Sequence, residues 1–378
     1  MKDYDVTIIG GGAVGTAVFR DLSMRKIKTA LVEKNSIGHG TTYTSHQNLV
    51  GGMRYVITDH ITAKECAREN KTISKIAPNL VGKINNYFVG FRNEYTEKAL
   101  EKAKDLGIIF REKNAEKVEK EIPALSKKID IVVETEDKNI DALGFCKLNC
   151  LSAMKNEGEL FEETEISKIK RRKGDFVLST NKGTFIAKYV VNASGAWLNS
   201  IASIMHISLP IVYSQGTIIV QKALSPRGLQ FFRKPSDGDA YIVHGDEAWL
   251  GTTATTISEP YKAKPEPWAE KYLKQNFSVI LPKIQKQPIL RKFTGIRALY
   301  KNKPCANDRE ITRHFKITEE PEGFFNIIGG KLTTARLMAE KASDIICQHT
   351  GVKSTCRTNL EPLSNVYLAS NINDTRKL

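Results

Sequence analysis

The chain has 378 residues, enough for a large buried core divided between two domains. Lys and Arg number 57 against 42 Asp and Glu, and the net charge of +15 is spread along the chain, which favours an anionic ligand, an anionic membrane surface or nucleic acid without choosing among them. No apolar run approaches the roughly 20 residues that span a bilayer, and no leader precedes the first strand, so the expectation is a cytoplasmic protein, peripheral if it meets a membrane at all.

The chain opens on a strand, a tight turn, a helix and a second strand. Val6, Ile8 and Ile9 make the first strand, Gly10 to Gly15 the turn, Thr16 to Met24 a helical run, and TALVEK the second strand. In a dinucleotide fold Gly10 makes the sharp turn, Gly12 lets a pyrophosphate approach the backbone, and Gly15 lets the helix pack close to the strand. Glu33, at the end of the second strand, is placed to accept hydrogen bonds from ribose hydroxyls and to repel a 2′-phosphate. A polar loop follows, Thr41 to Asn48, then Gly51-Gly52-Met53-Arg54-Tyr55, a pattern suited to passing close to a flat cofactor.

Apolar spacing predicts a helix over 58–77, ended by Pro78. Short strands are expected at 87–91 and 129–133, with a charge-dense, solvated helix face over 98–120. A helix over 141–154 buries Leu143, Leu148, Leu151 and Met154. Residues 165–197 read as a three-stranded meander, with turns at Lys173-Gly174 and Asn181-Lys182-Gly183 and a small-residue end, Asn192 to Trp197. Its basic run, Lys168 to Lys173, is read as a solvated hairpin tip and not as a nucleic-acid site. An antiparallel sheet is predicted over 209–255, then a helix by Leu281. A last strand, the pair Gly329-Gly330 and a closing helix through Cys347 repeat the opening unit and bring backbone N–H groups to the cofactor a second time. The six cysteines Cys66, Cys146, Cys150, Cys305, Cys347 and Cys356 contain no CxxC pair, so no metal is expected. They read as ordinary thiols, with a Cys347–Cys356 disulfide as the alternative.

Together GGGAVGTAVFRDLSMRK, TTYTSHQNLVGGMRY, VVNASGAW, RKPSDGD, LGTT, GIRAL and IIGGKLTTARLMAEKASDIIC resemble the FAD-dependent glycerol-3-phosphate dehydrogenases of the D-amino-acid-oxidase-like flavoprotein superfamily, in order from residue 5 to about 360. The fold class is then α/β: a Rossmann-like FAD-binding domain of the glutathione-reductase/D-amino-acid-oxidase type, with an α+β substrate domain on an antiparallel sheet. Residues 1–82, 147–205 and 322–360 are assigned to the FAD domain, 83–146 and 206–321 to the substrate domain, and 361–378 to a polar tail. The resemblance implies bound FAD, oxidation of sn-glycerol 3-phosphate to dihydroxyacetone phosphate, and electrons passed to quinone at the inner face of the membrane, directly or through a small subunit for electron transfer or membrane anchoring. A homodimer is also open.

Residues expected to hold FAD are Gly10, Gly12, Ala13, Val14, Gly15, Glu33, Lys34, Thr41, Thr42, Ser45, Ile166, Ala193, Ser194, Gly195, Trp197, Gly295, Gly329, Gly330, Lys331, Leu332 and Thr333. Arg54 and Arg297 are assigned to phosphate or carbinol recognition, because a guanidinium matches a phosphate bidentately. Tyr55 donates a hydrogen bond to substrate, and Lys331 meets its hydroxyl. Catalysis is assigned to Arg297, Lys331 and His46. As general base His46 stands beside His244, since histidine titrates near neutrality unaided. Two departures from the family are visible. Val50 stands where relatives often carry His, and the sequence lacks the C-terminal domain that many relatives append, so residues 357–378 are expected to be loosely ordered. The rival readings are a related flavoprotein acting on a 2-hydroxy acid or an amine, and a flavin-containing binding module.

Overall fold

The computed structural model describes residues 1–233, 239–301 and 311–363. Most of the RKPSDGD motif, Cys305 and the end of the expected tail lie outside these residues. An eight-stranded sheet runs in the order 315–319, 324–329, 183–192, 2–9, 29–32, 159–161, and the hairpin 166–172/175–180 extends from strand 183–192. Strand Lys2–Ile9 is central and parallel to both neighbours, Gly183–Asn192 and Thr29–Val32. Its second half, Val6–Ile9, is buried throughout because both faces of the sheet are covered there. One face packs on the helices Ala13–Met24, Ala142–Lys155 and Ala335–Thr350, through Val18, Leu22, Phe145, Leu148, Met338 and Ile346. The meander over 166–192 covers the other with Ile169, Phe176 and Phe185.

The second, nine-stranded sheet contains strands 211–222, 229–231, 240–244, 247–251, 255–257 and 291–300, together with 87–90, 110–113 and 131–135. Its long strand Ile211–Lys222 pairs along its length with Arg291–Tyr300. At the centre of that pairing Gly216 lies opposite Gly295, and a Cβ on Gly295 would stand 2.5 Å from the Thr44 carbonyl. Gly295 leaves room for the Thr41–Asn48 loop to cross the sheet, and Gly216 leaves room for Thr253 and the Arg297 guanidinium.

Several expectations shift. Strand 315–319, which the boundary at 322 leaves with the substrate side, pairs with 324–329 in the first sheet. The charge-dense stretch is two helices, Glu94–Asp105 and Ala115–Glu121, with strand Phe110–Lys113 between them. Met154 is 43% exposed, and Phe145, Cys146 and Cys150 take the buried face expected of Leu143 and Met154. Cys347 and Cys356 are free thiols, with no disulfide between them. The segment after Cys356 is also not loose as far as it is described. Arg20 donates to the Thr358 and Glu361 carbonyls, and the Leu363 N–H donates to Ile76 O at 2.6 Å, with Leu363 buried. Arg20 is 338 and 341 residues away from these two carbonyls, so local polarity misreads the segment.

Candidate active site

Glycine conformation builds the nucleotide half. Gly10 has φ +106°, and a Cβ there would stand 2.8 Å from the Ala193 carbonyl. At Gly15 a Cβ would lie 1.9 Å from the Gly10 carbonyl, so the helix packs against the turn only without a side chain. Gly12 is the N-cap of that helix with no side-chain cap, and its would-be Cβ meets only Thr42 Oγ1, at 3.3 Å. Adding a methyl there would fill the cradle where the helix N-terminus presents N–H groups.

Thr42 Oγ1 accepts from the Ala13 N–H at 3.0 Å and Thr41 Oγ1 donates to Ile296 O at 3.0 Å, so the polar loop is pinned to the N-terminus of the first helix and to the second sheet. Ser45 faces back into its own loop, donating to Thr42 O. Glu33 accepts from the Gly11 N–H at 2.6 Å and the Asn35 N–H at 2.8 Å. Each carboxylate oxygen thus keeps an acceptor site for a ribose hydroxyl. Ala193 donates to Ile9 O, Ser194 hydrogen-bonds Asn192 Oδ1 at 2.6 Å, and Gly195 (φ +59°) has open space where a Cβ would be. Trp197 closes on Gly40, its ring 3.3 Å from that would-be Cβ. Val14 and Leu332 pack on the helix-side core, and Ile166 on the meander side. Lys34 instead faces solvent in an ion pair with Glu165 at 2.7 Å. A nucleotide with ribose and pyrophosphate fits this set of donors, acceptors and missing Cβ atoms.

The second glycine turn has Gly329 at φ +76° and Gly330 at φ +77°, and a Cβ on Gly330 would strike Met338 Sδ at 2.2 Å. It delivers Lys331, whose Nζ hydrogen-bonds Tyr55 Oη and lies 4.6 Å from the Tyr55 ring centroid. Thr333 Oγ1 accepts from the Val50 N–H at 3.0 Å, tying this turn to the Gly51-Gly52 loop. The next N–H, of Gly51, donates to the fully buried Asp137 at 2.8 Å. Asp137 also accepts from Gln230 Nε2 at 2.7 Å, and Gln230 Oε1 accepts from Arg54 Nη1 at 3.5 Å. Arg54 Nη2 pairs with Asp239. Burial opposes the charge on Arg54, but Asp239, Tyr55 and Asp137 outweigh it and raise its pKa. Burial raises the Asp137 pKa despite four hydrogen bonds to its carboxylate.

Arg297 is clamped. Its guanidinium donates to the carbonyls of Ser214 (3.4 Å), Gln215 (3.1 Å) and Thr253 (2.8 Å) and to Thr252 Oγ1 (3.2 Å). Beneath this clamp the buried Glu266 accepts from Thr253 Oγ1 at 2.5 Å and from Thr255 Oγ1. His46 lies in the field of Arg54, His244, Arg297 and Lys331, and its Nε2 is buried without a hydrogen-bond partner among the described residues. Burial first, and then these four neighbours, lower its pKa to about 3. His244 serves the loop backbone instead, its Nε2 3.0 Å from His46 O. Sequence reasoning missed Asp137, Gln230 and Glu266. Strand pairing brings Asp137 and Gln230 to the site, and Glu266 arrives from the loop before helix Ala269–Ser278 to meet Thr217, Thr253 and Thr255.

A Rossmann-type glycine turn, a carboxylate with free acceptor sites at the end of the second strand and a second glycine turn carrying a lysine are the arrangement of a flavin-nucleotide oxidoreductase. Residues 5–345 match the family described as FAD dependent oxidoreductase, and the chain belongs to it. It is 31% identical to one subunit of the anaerobic glycerol-3-phosphate dehydrogenase of Haloferax volcanii, over 96% of this chain and 66% of that protein. To one subunit of the anaerobic glycerol-3-phosphate dehydrogenase of Haemophilus influenzae it is 28% identical, over 95% and 67%. The chain thus spans about two thirds of the length of these relatives. The crystal structure of the Bacillus halodurans glycerol-3-phosphate dehydrogenase complexed with FAD superposes with a TM-score of 0.75, at 20% identity, covering 100% of this chain and 72% of that one. At that identity the likeness speaks for the fold.

Proposed function

We propose that this chain oxidises sn-glycerol 3-phosphate to dihydroxyacetone phosphate, and that partner chains on the inner face of the membrane pass the electrons to quinone. The observation that carries the reading is the meeting of Arg54, Arg297, the Lys331–Tyr55 pair and the unpartnered His46 Nε2 around one another. In this reading residues 1–82, 147–205 and the chain from strand 315–319 to residue 360 serve the cofactor, and 83–146 and the chain from 206 up to that strand the substrate. The relatives are named as single subunits of their enzymes, which supports further chains in the assembly. No helix among the described residues is long and apolar enough to cross a membrane, so attachment rests on a partner and on the chain's positive charge.

FAD supplies the acceptor for the two electrons and hydrogen leaving the carbinol carbon. The protein's own residues do the rest. Arg54, braced by Asp239 and Gln230, offers its guanidinium to the phosphate. Arg297, locked by its carbonyl clamp, is a fixed positive charge that reorganises little as substrate binds. Lys331 and Tyr55 hold the substrate hydroxyl, and His46 takes its proton. The test is to mix flavin-loaded protein, without air, with glycerol 3-phosphate and separately with 2-hydroxy acids and amines. Bleaching of the flavin absorbance by glycerol 3-phosphate alone supports the reading, and bleaching by a 2-hydroxy acid or amine alone replaces it.

A further inference from the structure

His46 presents a contradiction that its surroundings resolve. Its Nε2 is buried without a partner among the described residues, the arrangement of a group kept for a ligand and not for the fold. Val50, four residues on, is buried, apolar and unable to titrate. Yet the cations around His46 come from three separate elements, Arg54 from the turn after Gly52, Arg297 from strand 291–300 and Lys331 from the second glycine turn, while burial lowers the pKa of the neighbouring His244 on strand 240–244. The nearby anions are already committed. Asp239 pairs with Arg54, Asp137 holds Gly51 and Gln230, and Glu247, near His244, pairs with Arg291. An imidazole held near 3 is a feeble acceptor for an alcohol proton at neutral pH.

We propose that the substrate's own phosphate switches His46 on: a dianion bound among Arg54, Arg297 and Lys331 cancels the cationic field that adds to burial in keeping the imidazole from taking a proton. This rests on the phosphopolyol reading above. In the step that follows, the substrate O–H breaks and an N–H forms on His46 Nε2. The carbinol C–H breaks with its electron pair, the hydrogen passing to FAD, and the C=O forms. The phosphate then belongs to the catalytic apparatus, and an unphosphorylated polyol fails for want of a base as well as for weak binding.

The experiment is a histidine-labelled NMR titration of the flavin-loaded protein, with the His46 signal assigned by H46N. Inorganic phosphate is the probe, and chloride at equal ionic strength the control. The expected result is an upward move of the His46 midpoint by at least about one pH unit, a tenfold change in proton affinity, with phosphate alone. An unmoved midpoint, an equal move with chloride, or failure of phosphate to bind overturns the proposal. Kinetics give a second arm. A raised pKa in the substrate complex places the acid limb of kcat at higher pH than that of kcat/KM, and H46N with full flavin content loses that limb. A merely structural histidine moves neither. If phosphate shifts His46 but glycerol 3-phosphate leaves the flavin oxidised, the substrate assignment fails and the switch stands. If glycerol 3-phosphate bleaches the flavin and His46 does not shift, the switch alone fails.

Discussion

The two ends of the proposed reaction path are built differently. The nucleotide cradle is made of backbone and of side chains that are absent: Gly10, Gly12 and Gly15 lie within six residues, Gly10 and Gly15 are required by close approaches, and Gly12 leaves the cradle at the helix N-terminus open. The substrate side is made of charge held by charge. Arg54 is braced by Asp239, 185 residues away, and by Gln230, 176 away, and Arg297 is clamped by carbonyls 44 to 83 residues away. A site of the first kind fails by sterics, all at once. A site of the second kind fails by degrees, as one partner after another is removed.

The sharpest break of that contrast is Gly15→Ala. Its methyl would stand 1.9 Å from the Gly10 carbonyl, which moves only if the helix leaves the strand. We expect a loss at the upper end of overpacking, about 3 kcal/mol, and protein without flavin. Flavin-to-protein ratio and Tm measure both, and a yellow variant of unchanged Tm shows that the turn has slack. Arg297→Ala should do the opposite, keeping the flavin while kcat/KM for glycerol 3-phosphate falls about a hundredfold or more. Retention of wild-type kcat/KM makes the clamped arginine a purely structural tie.

Asp137→Asn should act more mildly. An amide nitrogen facing Gln230 Nε2 forces the Gln230 amide to turn over, aiming N–H groups at Arg54 in place of the oxygen that now accepts from it. The loss is about 1.5 kcal/mol, read as a roughly tenfold rise in KM with kcat changed less. A fall in kcat with constant KM would instead point to the Gly51-Gly52 loop, which Asp137 also holds.

The contrast also explains what the sequence disclosed. The opening unit and the second glycine turn were legible because their whole physics sits in one short stretch: apolar strand, glycines, helix, carboxylate. The meander was legible from its turns, and the structure has Lys173 and Gly174 at φ +53° and +93° at the hairpin tip. Asp137, Gln230 and Glu266 carried no local signal. Nothing in the residues around Asp137 reveals that Gly51 and Gln230 will point at it, because that depends on the register of strands 87–90, 131–135 and 229–231. The strap over 357–363 was misread for the same reason: its carbonyls look solvated until Arg20 arrives from the first helix.

Asp59 combines both kinds of construction in one side chain, and its expected effect is the smallest. It caps the helix His60–Ile76, accepting from the Thr62 N–H at 3.1 Å and Thr62 Oγ1 at 2.8 Å, the local part that a sequence displays. It also accepts from Thr312 Oγ1 at 2.7 Å and the Arg313 N–H at 2.9 Å, the distant part that a sequence hides. Burial opposes its charge, but these donors outweigh burial and lower its pKa from 3.8. A depressed carboxylate pKa gives stability that is present above the unfolded value and lost as pH falls through the folded one. Asp59→Ala should therefore cost about 1 kcal/mol at neutral pH, the usual loss for a helix cap, and the gap to wild type should narrow as pH falls below the ordinary carboxylate range. Thr312→Val removes one distant donor and leaves the cap, so it should cost less than Asp59→Ala in the same urea titrations. If Thr312→Val costs as much, the long-range bonds carry Asp59 and the cap adds nothing. If it costs nothing while Asp59→Ala costs the full amount, the cap alone holds this helix end, and locally legible physics reaches further into the substrate side than the contrast allows.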